Sequence, residues 1–136
     1  MLGILSRIYV LALCLTVFWP TPVDKGASKV IVAILATQQE VLHIQPFLTY
    51  NLVEFFSNIF LFVPMGVLLA LLLDRRYLIL PIGLLTTVFI ESMQSMFLPQ
   101  RTASVNDVIS NTVGACLGLL LVELVEWRKR SKVAAA

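Results

Sequence analysis

Charge is what this sequence has least of. Its 136 residues include ten Lys or Arg and eight Asp or Glu, 13% in all, where a soluble domain carries about 25% to clothe its surface. With 59% of residues hydrophobic, that scarcity excludes a soluble globular fold and places the chain in a lipid bilayer. The formal net charge is only +2, and the basic residues flank apolar runs in short groups instead of forming one stripe, which excludes nucleic acid as a partner. Cysteine is scarce as well. Cys14 and Cys116 both fall inside apolar runs, where neither a disulfide nor a metal site is expected, and they read as small apolar fillers. The single histidine, His43, has no Cys or carboxylate at metal-ligand spacing and reads as an interfacial residue. No nucleophile elbow, phosphate loop or paired metal-ligand motif occurs, and Ser57, Ser92, Ser95 and Ser110 are paired with no base by sequence. No cofactor and no metal are expected.

What is present is a series of apolar runs of membrane length. The first, Ile4 to Trp19, carries Arg7 one turn in and ends on Trp19-Pro20-Thr21-Pro22, where a signal peptidase requires small residues. It therefore reads as an uncleaved anchor rather than a secretory signal. Residues 20–54 form one long connection. Its apolar run Val30 to Ala36 is too short to cross ~30 Å of hydrocarbon and reads as a short interfacial helix. Phe55 to Leu73 is the second expected span, stopped by Asp74-Arg75-Arg76. Tyr77 to Phe97 is the third, an antiparallel neighbour of the second across a tight turn, and Val105 to Val125 is the fourth. The expected fold is thus all-α, a single four-helix transmembrane domain over residues 1–136. The basic residues orient it. Arg7, Arg75, Arg76, Arg128, Lys129, Arg130 and Lys132 fall on one side and Lys25, Lys29 and Arg101 on the other, which predicts that both termini are cytoplasmic.

With that topology, a rise of about 1.5 Å per residue puts Asn58 about 5 Å inside the second helix, Gln94 and Glu91 about 5 and 9 Å below the top of the third, and Asp107 and Asn111 about 3 and 9 Å into the fourth. Three helices therefore place polar groups in one layer toward the extracytoplasmic side. Thr87, Glu91 and Gln94 follow i, i+4, i+7, while Asp107, Asn111, Gly114 and Gly118 follow i, i+4, i+7, i+11, so each set forms one stripe expected to face protein. Gly114 and Gly118 form a GxxxG pattern that lets a neighbouring helix approach closely. Pro64, followed by Gly66, removes one backbone hydrogen bond within the second span and permits a kink. Glu91 and Asp107 are costly in a membrane unless paired, neutralised or watered, and Arg101, in the loop between their helices, is the candidate cation.

The ordered series Asn58-x-x-x-Phe62-x-Pro64-x-Gly66, Glu91-x-x-Gln94, Arg101, Asp107, Asn111, Gly114 and Gly118 resembles the VanZ-like family, from about Gln45 to Leu121. The resemblance implies a multi-pass protein of the bacterial cytoplasmic membrane and a connection with glycopeptide resistance, since the name-giving member lowers susceptibility to teicoplanin. It implies no catalytic assignment.

Three functional readings stand at this point. In the first, the polar layer is a pocket open to the outer leaflet that engages a lipid-linked cell-wall precursor or a lipophilic glycopeptide. Arg101 is then the anion contact, and Asn58, Gln94 and Asn111 are orienting amides. In the second, Glu91 or Asp107 serves as a general acid or base of a small membrane enzyme. In the third, the chain is an accessory subunit of another membrane protein and the polar cluster is structural.

Overall fold

The structure, a computed structural model, describes residues 1–19, 46–98 and 104–134. Among these, helices account for nearly everything: α1 (Leu2–Val17), α2 (Pro46–Leu72), a single 3-10 turn (Arg76–Leu78) leading into α3 (Ile79–Phe97), and α4 (Val105–Ala134). Three stretches are long and apolar enough to cross a membrane, Asn51–Leu72, Arg76–Phe97 and Val105–Ala134, while Leu2–Val17 is apolar but shorter. The expected interfacial helix at Val30 to Ala36, His43, and the outer cations Lys25, Lys29 and Arg101 lie outside the described residues.

Two helices are longer than expected. α2 is already helical at Pro46, nine residues before Phe55. α4 continues nine residues past Val125 to Ala134. Hydropathy marks where a helix enters lipid, not where its hydrogen bonding stops, and the last turns of α4 are supported by an i,i+4 pair, Arg130 Nη2 to Glu126 Oε2 at 3.3 Å.

α4 is the helix on which both α2 and α3 pack, whereas α2 and α3 touch each other far less. The short connection between α2 and α3 therefore does not make them the principal pair. Glycine decides this. A Cβ on Gly118 would lie 2.6 Å from the Val67 backbone nitrogen, one on Gly66 2.8 Å from the Ala115 carbonyl carbon, and one on Gly114 2.9 Å from Phe62 Cβ. The backbones of α2 and α4 are thus in direct contact, as a small-residue seam permits. Gly66 serves this seam. Pro64 lies on an exposed position of α2, which runs through it as one helix.

The apolar core falls in two clusters. Leu13 and Val17 of α1, Phe62 and Met65 of α2, Ile90 of α3 and Ala115 of α4 form one; Ala70, Ile79 and Val122 form the other toward the opposite end. Most other apolar side chains point outward, Phe60, Leu85 and Phe89 among them. That is the arrangement expected when lipid, not water, is the surrounding medium. α1 docks through one edge: Leu13 and Val17 are buried, and Tyr9 Oη donates to the Leu61 carbonyl at 3.0 Å.

Candidate functional site

The two polar stripes face inward. Thr87, Glu91 and Gln94 on α3 and Ser110, Asn111, Gly114 and Gly118 on α4 are all buried, because a 3.6-residue period returns each set to the side of its helix that meets protein. Between them they build three contacts that join helices.

The first joins α2 to α4. Asn58 Nδ2 donates to Asp107 Oδ1 at 2.8 Å, and both residues are half-buried. Asn58 lies twelve residues, about 18 Å, into the longer α2 rather than about 5 Å, yet it still shares the level of Asp107, in the first turn of α4. The second joins α3 to α4. Asn111 Nδ2 donates to Thr87 Oγ1 at 2.8 Å, with Thr87 fully buried and Asn111 4% exposed. The third joins α3 to α1. Gln94 Nε2 donates to the carbonyl of Val17 at 2.8 Å. Val17 ends α1, so its carbonyl belongs to the last turn, which lacks helical partners, and Gln94 supplies one.

Glu91 is placed against the N-terminus of α4. Ser104 precedes that helix and caps it: its carbonyl accepts from the N–H groups of Asp107 and Val108 at 3.1 and 3.2 Å, and its hydroxyl accepts from Asn106 N–H at 3.2 Å. The Ser104 N–H itself donates to Glu91 Oε2 at 3.1 Å. In a Ser-x-x-acid capping box, the acid of the same helix takes that N–H. Here Glu91 of α3 takes it, and the acid at the box position, Asp107, receives Asn58 instead. The Glu91 carboxyl group thus sits at the N-terminal end of α4. Glu91 and Asp107, the two residues weighed as acid or base, are thus each engaged in contacts between helices.

One polar atom of the cluster stands apart. Asn111 Oδ1 is buried and accepts no hydrogen bond among the described residues. A buried acceptor left in this way costs about 1–3 kcal/mol. It lies on the α3–α4 seam one turn below Asp107. No group of His, Cys, Asp and Glu that could hold a metal ion occurs among the described residues.

Sequence reasoning missed three participants. Thr87 was placed on the α3 stripe but not paired with Asn111. Ser104 was treated only as part of a loop, although Ser104-Val105-Asn106-Asp107 has the form of a capping box and was the available signal. At the far end, Arg76 had been counted as a flanking charge. It bridges Glu123 and Glu126 of α4 with its two terminal nitrogens.

Neither a curated protein nor a solved structure matches the chain. The protein-family model described as VanZ/LLP1 matches residues 7–126, which take in Asn58, Glu91, Gln94, Arg101, Asp107 and Asn111 together with the glycines of the α2–α4 seam. With three helices long and apolar enough to cross a membrane, the chain is a multi-pass membrane protein, and it belongs to the VanZ/LLP1 family.

Proposed function

We propose that this chain is a cell-envelope protein of the bacterial cytoplasmic membrane, a single domain crossing it four times with both termini in the cytoplasm. Its polar layer is a pocket toward the outer leaflet that engages an amphipathic ligand, a lipid-linked cell-wall precursor or a lipophilic glycopeptide, and in that way contributes to teicoplanin resistance. The observation that carries this reading is Asn111. A cluster serving only to hold helices together would satisfy its own acceptors, as the Asn58–Asp107 pair and the Gln94 contact do. Asn111 Oδ1 is buried on the α3–α4 seam without a donor among the described residues, and a hydroxyl or amide of a head group entering between those helices would satisfy it. Glu91, Asp107 and Asn58 set the shape of that end, and Arg101 is the anion contact.

The test is replacement of Glu91, Arg101 and Asn111 by alanine, one at a time, in a sensitive host, measuring both the amount of folded protein and teicoplanin susceptibility. Variants that fold but lose protection support the pocket. Unchanged folding together with unchanged susceptibility would rule it out. A second reading, an accessory subunit with a structural polar cluster, is favoured by the contacts already satisfied inside the bundle. It predicts that each variant loses folded protein and protection together, and that the chain crosslinks to a larger membrane partner.

A further inference from the structure

The end of the bundle opposite the polar layer carries a different kind of surface. At about 1.5 Å per residue the thirty residues of α4 measure about 45 Å, against ~30 Å of hydrocarbon, so its last turns project beyond the apolar core. Those turns hold Trp127, Arg128, Lys129, Arg130 and Lys132, all exposed. Arg75 is exposed beside the start of the 3-10 turn.

Two of the three acids at this end are occupied. Glu123 and Glu126 are bridged by Arg76, and Glu126 also accepts from Arg130. Counting Asp74 with those two, three carboxylates stand against the six cations of the α2–α3 turn and the last turns of α4, Arg75, Arg76, Arg128, Lys129, Arg130 and Lys132. Arg128, Lys129 and Lys132 have no ion-pair partner among the described residues. Three cations within five residues, held on a rigid helix at the membrane boundary beside an interfacial tryptophan, match the head groups of acidic lipids in charge and in depth.

We propose that this projecting end of α4 is a binding surface for anionic phospholipid head groups, contacted by Arg128, Lys129 and Lys132 and bordered by Trp127. It is independent of any ligand in the polar layer. Its role is to gather acidic lipid around the α3–α4 end of the bundle, with the Arg76 clamp keeping Glu123 and Glu126 from competing for the cations.

Trp127 is the reporter. Trp19 and Trp127 are the two tryptophans of the chain, so W19F leaves Trp127 alone. The full-length W19F protein is reconstituted in phosphatidylcholine bilayers containing either phosphatidylglycerol or phosphatidylcholine with dibrominated acyl chains, and quenching of Trp127 is compared. The expected result is an apparent affinity for the acidic lipid about fivefold above that for the neutral one. It should be lost in R128Q/K129Q/K132Q, which keeps Arg130 and its pair with Glu126, and reduced at 1 M salt, where the screening length falls to about 3 Å. Helix content by circular dichroism serves as the folding control. Equal quenching by the two lipids overturns the proposal. So does a preference that survives in the triple variant, or binding of soluble polyglutamate by this end with no lipid preference, which would mark a protein-docking surface instead.

Discussion

The Ser104 N–H and the Glu91 carboxylate, 3.1 Å apart, tie the start of α4 to α3. The capping acid of α4 is therefore borrowed from another helix, and Asp107 is left to hold α2 through Asn58. Glu91→Gln keeps one acceptor oxygen for the Ser104 N–H but exchanges the other for an amide nitrogen. It is expected to lower stability by about 1 kcal/mol. Glu91→Ala leaves the Ser104 N–H open and a void behind it, and should lose about 2–4 kcal/mol. Unfolding in mixed micelles, followed by circular dichroism, orders the two variants.

The α2–α4 seam makes the glycines unequal. Gly66→Ala, Gly114→Ala and Gly118→Ala each drive a methyl into the backbone or the Cβ of the partner helix. Each should cost about 1–3 kcal/mol or more, because neither backbone can give way alone. Gly83→Ala meets only the Ala115 methyl at 3.3 Å and the flexible Met65 end at 3.8 Å, and Gly3→Ala meets nothing within 4 Å. Gly3→Ala should be close to neutral, with the helical preference for alanine, about 0.5–1 kcal/mol, in its favour, and Gly83→Ala should fall between the groups, because the Ala115 methyl is fixed to the seam backbone and must shift by a few tenths of an ångström. Thermal denaturation of the five variants in one detergent separates the groups.

Removal of the Gln94 amide should loosen α1 without unfolding the rest. Gln94→Leu withdraws the donor to the Val17 carbonyl, and Tyr9→Phe withdraws the donor to the Leu61 carbonyl. Each is expected to cost about 1 kcal/mol, and together they remove both side-chain hydrogen bonds described between α1 and the bundle. Amide hydrogen exchange should speed up over Leu2–Val17 in the double variant while α2, α3 and α4 stay protected.

The Arg76 clamp is half-exposed, with side-chain exposures of 29% for Arg76 against 50% and 31% for its two glutamates. Exposed pairs of this kind are screened, so Arg76→Gln should lower stability only slightly. The loss should shrink further at high salt. A double-mutant cycle with Glu126→Gln, run at low and high ionic strength, measures it.

Much of this arrangement was legible in the sequence wherever periodicity decides the outcome. The spacing of Thr87, Glu91 and Gln94, and of Asp107, Asn111, Gly114 and Gly118, assigns each set to one face, and those faces are the buried ones. The resemblance carried by the same residues is matched by the family shown over residues 7–126. Which partner each residue meets was not legible, because pairing depends on helix rotation and on how closely the axes approach. Gly66, read as part of a kink with Pro64, belongs to the α2–α4 seam. α1 has no side chain among the polar residues read from the sequence, yet its last carbonyl takes the Gln94 amide, and a backbone acceptor leaves no trace in residue type. The helical residues before Phe55 and after Val125 were missed because apolar length reports the membrane and not the helix.

The buried, unsatisfied acceptor of Asn111 is the feature on which a ligand in the polar layer depends most. Purified wild-type protein and Asn111→Leu, which keeps the side-chain size but removes both amide groups, are compared by thermal unfolding with and without teicoplanin and with and without a lipid-linked cell-wall precursor. Asn111→Leu is expected to fold, the wild type to be stabilised by at least one of these ligands in a concentration-dependent way, and the variant to gain no stabilisation. Stabilisation of both proteins to the same extent, or of neither by any ligand in the series, would contradict a ligand in the polar layer.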